Sequence, residues 1–211
     1  MTLVQSPISP ISPISAFDEE TARAEVYGLL ATLFHTAPSP ELHENLRLAV
    51  TQAPSPGALL ETSWSELVAC ARGMTPDAIA SEFKALFVGV GKPEINVFGS
   101  HYLSGFLNEK PLVLLRTDIA ALGLARNEAV LDTEDHVSYV FEVMRYLIAG
   151  DDVEVSNLTR QREFFTRHVH TWVPAFCEAL AGNPKAQFYG ALATFTDVFV
   201  SVEAQGFDML V

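Results

Sequence analysis

Residues 132–149 read Asp132-Thr133-Glu134-Asp135-His136-Val137-Ser138-Tyr139-Val140-Phe141-Glu142-Val143-Met144-Arg145-Tyr146-Leu147-Ile148-Ala149. Val137, Val140, Phe141, Met144, Leu147 and Ile148 fall at i, i+3, i+4, i+7, i+10 and i+11, which is the core stripe of a buried helix. Acidic residues crowd its expected first turn, where a helix N-terminus favours negative charge. The spacing places Asp135 and His136 at the mouth of that helix, fixed by the core yet within reach from outside. Neighbouring helical residues diverge by about 100°, so these two do not form an acid–base pair with each other.

The same period recurs on both sides. Val26, Leu29, Leu30, Leu33 and Phe34 predict a helix from Asp18 to about His35. Ser39-Pro40 and Thr75-Pro76 are caps followed by proline at the first helical position. They open helices bearing Leu42, Leu46, Ala49 and Val50, and Ile79, Phe83, Leu86 and Phe87. Between them Leu60, Trp64, Leu67, Val68 and Ala71 mark another, after the break at Pro54-Ser55-Pro56-Gly57. Gly89 to Gly105 reads as a long loop, punctuated by Gly89, Gly91, Pro93, Asn96 and Gly99 and interleaved with Val97, Phe98, Tyr102 and Leu103. A loop of that length inside a compact domain is functional or disordered, and its aromatics argue against disorder. Helix resumes over Pro111 to Leu124, with Gly123 and Asn127 at its end. It returns over Val155 to Leu180, kinked at Pro174, and over a last segment bearing Phe188, Leu192, Phe195, Phe199 and Val202. No strand-like alternation stands out. The expected fold is all-α, a single-domain bundle of about eight or nine helices.

Ser6 to Ser15 repeats Ser-Pro-Ile, and proline every third residue suits neither a helix nor a central strand. Residues 1–17 are expected to be a disordered or extended tail, and residues 18–211 the folded domain.

Of 211 residues, 49% are apolar, and the formal charge is −13. So acidic a chain is not built as a general nucleic-acid binder, and it suits a basic ligand such as an arginine-bearing peptide. Cys70 and Cys177 form no C-x-x-C pair, and each follows apolar neighbours. They suggest no disulfide framework, and the expected compartment is the cytoplasm. Residues 1–17 lack the basic start and continuous apolar run of a signal peptide, and Phe188–Val202 is too short to span a bilayer.

Catalytic motifs are missing. Gly89-Val90-Gly91-Lys92 lacks the first glycine of a phosphate loop, since position 86 is Leu, and Lys92 is followed by Pro93. His168 and His170, at i and i+2 of a helix, point apart and do not readily share a metal. No catalytic residue, metal or cofactor is assigned. A competing expectation is a small-molecule or nucleotide-dependent protein using the Asp135–His136 region.

Three stretches resemble the TorD/DmsD/NarJ family of redox-enzyme maturation chaperones. Glu82-Phe83-Lys84-Ala85-Leu86-Phe87-Val88-Gly89 is similar to its aromatic-x-x-Leu-Phe motif followed by Gly. Phe98-Gly99-Ser100-His101-Tyr102-Leu103 is similar to its aromatic-Gly-Ser-x-Tyr-Leu loop. Asp132-Thr133-Glu134-Asp135-His136 is similar to Glu-Pro-x-Asp-His, with Asp132 where Glu is usual and Thr133 where Pro is usual. Gln161 to His168 with Trp172, and Phe188-Tyr189 ahead of a last helix ending near Glu203, match two further family stretches in the same order.

The resemblance implies an all-helical cytoplasmic chaperone without catalysis. Its partners would be the twin-arginine signal peptide and the catalytic subunit of a molybdenum-cofactor oxidoreductase, whose export it delays until the cofactor is loaded. The implied peptide site comprises Asp132 and Asp135 for charge, and His136 for a hydrogen bond or ring contact. Phe83, Leu86, Phe87, Phe98 and Tyr102 would line an apolar groove, with Gly99 and Ser100 shaping the loop beside it. Glu134 is expected to face solvent. Family members occur as monomers and as domain-swapped dimers, and the choice stays open here.

Overall fold

The stripe read from residues 137–148 forms the spine of the molecule. A computed structural model of the chain describes residues 14–52, 58–89, 92–107, 109–125 and 131–209, with side chains from residue 19 onward. In chain order its helices are α1 (Ile14–His35), α2 (Pro40–Leu48), α3 (Glu61–Gly73), α4 (Pro76–Phe87), α5 (Gly99–Ser104), α6 (Lys110–Ala121), α7 (Val137–Ala149), α8 (Leu158–Phe164), a π-helical turn (Phe165–Val169), α9 (Val173–Ala181) and α10 (Phe188–Asp208). Nine of these α-helices have seven or more residues. No strand occurs among the described residues, so the fold is all-α, as the periodicity requires.

All six stripe residues of α7 are buried. They pack against α1, the most extensive helix pair in the structure. Aromatic rings join the two to the rest of the core. Tyr27 lies 5.8 Å from Phe141 and 4.9 Å from Phe199 of α10, and Phe34 lies 5.1 Å from Phe176 of α9. Below them α3 and α9 pack on α10. A polar network crosses this apolar interior. Arg23 donates to both oxygens of Glu203 (2.7 and 2.8 Å) and to Gln161 (3.2 Å), and the Tyr27 hydroxyl donates to Glu203 (3.1 Å). The Gln161 amide donates to the carbonyl of Leu147 near the end of α7 (3.1 Å). One carboxylate thus binds α1 to α10, with α7 and α8 attached through Gln161.

The expected caps form. Ser39 Oγ accepts from the Leu42 N–H and Thr75 Oγ1 from the Ala78 N–H, each with proline next in the chain. Gly123 has φ +73°. Its N–H reaches the Ala120 carbonyl and the Leu124 N–H that of Ile119, the double bond of a left-handed helix stop.

Several boundaries differ from expectation. α1 begins at Ile14, four residues before Asp18, and residues 1–13 of the expected tail lie outside the described residues. Asn127, Val90 and Gly91 lie outside them too. α2 stops at Leu48, which leaves Val50 exposed rather than on the helix face. The Gly89–Gly105 loop contains a short helix, α5, closed by Gly105 at φ +76°. The single kinked helix over Val155–Leu180 is broken ahead of Pro174, at the π turn and Trp172. Pro174 then sits in the first turn of α9, where its missing N–H costs nothing. No helix of the described residues is long and apolar enough to cross a membrane.

Candidate functional site

The acids of Asp132–Asp135 do not form the first turn of α7. The helix starts at Val137, and its N-cap is His136. The imidazole Nδ1 accepts the Ser138 N–H at 3.1 Å and lies 2.7 Å from Ser138 Oγ. A ring nitrogen that accepts a backbone N–H is unprotonated, so the neutral ring carries its proton on Nε2. Burial pushes the His136 pKa down to about 4, against the raising effect of Asp132 and Asp135.

The sign of that shift sets a pH dependence. Between the ordinary histidine value near 6.5 and about 4, the unfolded chain binds the proton that folded His136 refuses. Stability is full above that window and falls as the pH drops through it, by up to about 3 kcal/mol. His136→Asn, which keeps a capping acceptor but does not titrate, should flatten the fall in melting temperature between pH 7 and 5. Equal slopes for the two proteins would exclude His136 as the source.

The turn ahead of α7 is sewn to the loop before α5. The Gly99 N–H donates to the Asp135 carbonyl and the Val137 N–H to the Val97 carbonyl, both at 2.9 Å, an isolated antiparallel bridge centred on Phe98 and His136. Asp135 is 4% exposed. One carboxylate oxygen accepts the Ser100 N–H at 2.9 Å and the other the Thr133 hydroxyl at 2.6 Å. Asp135 therefore fixes the loop from beneath, and its carboxylate is turned inward.

Phe98 stands edge-on to His136 at 5.3 Å, and Tyr139 and His35 complete the ring cluster at 5.3 and 6.1 Å from His136. Tyr102 stacks on Trp172 at 5.8 Å and donates to the Asn96 carbonyl at 2.8 Å. Asn96, read from sequence only as loop punctuation, also accepts the Phe98 N–H at 3.0 Å.

Trp172 explains Gly99. A Cβ at this position would sit 2.9–3.2 Å from three atoms of the indole. Trp172 is buried and donates to the His168 carbonyl at 2.7 Å, so it has little room to retreat. Gly99→Ala should cost about 1–3 kcal/mol through overpacking. Chemical denaturation checks this, and an unchanged midpoint would show that the ring can shift freely.

The remaining sequence-assigned residues gather elsewhere. Leu86 has no accessible surface and belongs to the core rather than to a groove wall. Phe83 and Phe87 are half-buried, 5.1 Å apart, and pack on Tyr189 at 5.6 and 5.2 Å. The two aromatic groups are linked by backbone, since the Ile95 N–H donates to the Leu86 carbonyl at 3.0 Å. Beneath Phe83, Glu82 is buried and accepts the N–H groups of Gln187, Phe188 and Tyr189 at 2.8–3.2 Å, capping α10 from α4. Asp132 is half-buried, close enough to His136 to favour its charged form. Glu134, expected to face solvent, has a side chain only 15% exposed and pairs with Arg116 at 2.9 Å.

Beside this turn, His168 Nε2 lies 2.6 Å from Asp118 Oδ2, which Arg167 also meets at 2.7 Å. His168 is buried, whereas His170 is exposed. No group of three or more histidines, cysteines or acids among the described residues is placed to hold a metal. Asp135, Ser100, Leu103, Pro111, Leu115, His168 and Trp172 all border one void of about 10 Å³. That void is too small to hold a ligand side chain.

The outer surface carries several exposed apolar side chains. Along α5, the start of α6 and the turn between them, Leu103, Phe106, Leu107, Val113 and Leu114 are 43–71% exposed. Periodicity missed this face because α6 carries apolar residues on both sides, Leu112, Leu115 and Ile119 being its buried set.

Comparison with known proteins agrees with the motifs. Residues 54–178, more than half of the chain and including every assigned site residue, match the family model described as nitrate reductase delta subunit. A protein named chaperone protein TorD from Vibrio cholerae serotype O1 (strain O395) is 26% identical over 140 residues, 63% of this chain and 64% of that protein. The chain thus spans just under two thirds of that relative. Proteins of the same name from Aliivibrio salmonicida and Shewanella loihica are 21% and 23% identical, over 92% and 87% of this chain and 98% and 92% of their own lengths. The chain belongs to the nitrate reductase delta subunit family, the TorD/NarJ family of redox-enzyme maturation chaperones that its motifs resemble.

Proposed function

We propose that this chain is a cytoplasmic maturation chaperone, not an enzyme. It binds the twin-arginine signal peptide and the apo-form of a molybdenum-cofactor oxidoreductase subunit, and it delays export until the cofactor is in place. The relatives' names support the chaperone reading. The observation that carries the peptide reading is an adjacency. Asp132, Glu134 and Asp135 lie in one turn, and Asp135 borders the same void as Leu103, from which the exposed apolar face of α5 and α6 extends. A twin-arginine leader has the matching order, two guanidinium groups and then an apolar run. Guanidinium–carboxylate bonds are charge-assisted and can be bidentate, and the apolar run gains by leaving water.

Within this reading the roles divide by burial. Asp132 and Phe98, both partly accessible, touch the peptide, with Tyr102 beside them. Asp135, Gly99, Ser100 and His136 are positioning residues that hold the loop in shape. A neutral His136 adds no positive charge to repel arginine. Phe83 and Phe87 form a second aromatic surface, with Leu86 supporting it from the core.

Calorimetric titration of the full chain with a twin-arginine leader peptide tests the proposal. Asp132→Asn and Phe98→Ala should each weaken binding about 5–10-fold, roughly 1–1.4 kcal/mol. Binding should also weaken as salt rises. A leader that binds no better than the same peptide with both arginines replaced by glutamine would sink the proposal. Pull-down from the native cells would name the client.

A further inference from the structure

A second surface lies away from the Asp135 turn. Between α1, α3 and α10 runs an open groove of about 390 Å³, bordered by Val26, Leu29, Leu60, Trp64 and Phe195. Trp64 and Phe195 stand 5.4 Å apart within it. Leu48, Val50 and Leu59, in the segments that flank it, are 72%, 78% and 67% exposed. Apolar side chains concentrated in and around one concavity mark a contact surface.

We propose that the occupant of this groove is the chain's own Ser-Pro-Ile segment, residues 1–13. Three observations favour it. The first is chemistry. The segment has no charged residue, and it carries Ile8 and Ile11 in a repeat of three. Proline at every third position favours the extended helix with three residues per turn, which aligns residues three apart on one edge. Aromatic-lined grooves are the usual receptors for that form.

The second is reach. Ala22, Glu25, Val26 and Leu29 put the groove on α1 itself, about 12–22 Å from Ile14 at roughly 1.5 Å per residue. Thirteen residues in the extended form span about 40 Å, enough to turn back and run the length of the groove. The third is tethering. A segment joined to the helix that forms one wall has an effective concentration on the order of millimolar, so a modest apolar contact suffices.

Trp64 supplies the test, because the protein's other tryptophan, Trp172, is buried elsewhere. The full chain is compared with its Ile8→Asp/Ile11→Asp variant. The expected result is a red shift of tryptophan emission and about a twofold rise in acrylamide quenching as the indole meets water. Both changes should vanish in a Trp64→Phe background. A synthetic peptide of residues 1–13 added to the variant should reverse them, and the same peptide with both isoleucines replaced should not. Identical emission and quenching in the two proteins would overturn the proposal. So would shielding of Trp64 that depends on protein concentration, because a second copy would then be the occupant.

Discussion

Glu82→Ala should lower stability by about 2–4 kcal/mol, because it orphans three N–H groups at once, two of them buried. The α10 N-terminus has no side-chain cap of its own, and Glu82 from α4 is what Gln187, Phe188 and Tyr189 bond to. These bonds are charge-assisted, and the carboxylate also meets the positive end of a 21-residue helix. For a chain of this size the loss corresponds to roughly 10 °C in melting temperature. Glu82→Gln keeps one acceptor oxygen and should fall between wild type and alanine. An alanine variant that melts within about 2 °C of wild type would mean that water or a rearranged helix start replaces the carboxylate. The effect should also reach the Phe83–Phe87 surface, since both rings pack on Tyr189.

Glu203→Ala should cost about 3–5 kcal/mol, for a different reason. It strands the Arg23 guanidinium, whose side chain is 17% exposed, and removes the acceptor of the buried Tyr27 hydroxyl. Breaking a buried ion pair leaves an uncompensated charge, whereas replacing both partners by apolar groups removes that penalty. Arg23→Met with Glu203→Leu should therefore recover most of the loss. A double-mutant cycle built from the single Arg23→Met and Glu203→Leu variants, followed by urea denaturation, measures this. If the two single losses simply add in the double variant, the pair is not the coupled unit that the geometry shows.

Both residues illustrate the limits of sequence reading. Glu82 stands inside a quoted motif, yet its partners lie 105–107 residues on and are backbone groups, which carry no side-chain signature. Arg23 and Glu203 are 180 residues apart. What periodicity reports is local. The α7 stripe, the Ser39-Pro40 and Thr75-Pro76 starts and the Gly123 stop all depend on neighbours within a turn or two, and all appear as read. The acids of 132–135 were misplaced for the same reason. Next to an apolar stripe they look like a charged first turn, but Asp135 is drawn backward by the Thr133 hydroxyl and by the N–H of Ser100. Helical spacing likewise brought Phe83, Leu86 and Phe87 onto one side of α4 without revealing that Leu86 points into the core. The candidate site was therefore legible as a set of residues and illegible as an arrangement.

The bridge between Phe98 and His136 has a dynamic consequence. It ties together the two ends of the stretch that contains α5 and α6, next to the start of α7. α6 packs most on α5 and buries Leu112, Leu115 and Ile119, and polar latches join it to its surroundings, Arg116 to Glu134 and Asp118 to His168 and Arg167. The latches loosen with salt, so salt should lower the cost of opening α5 and α6 more than that of the α1–α7 pair. A guest seated on the outer face of α5 and α6 would restrict local opening there, and the freedom lost would be part of the cost of holding it.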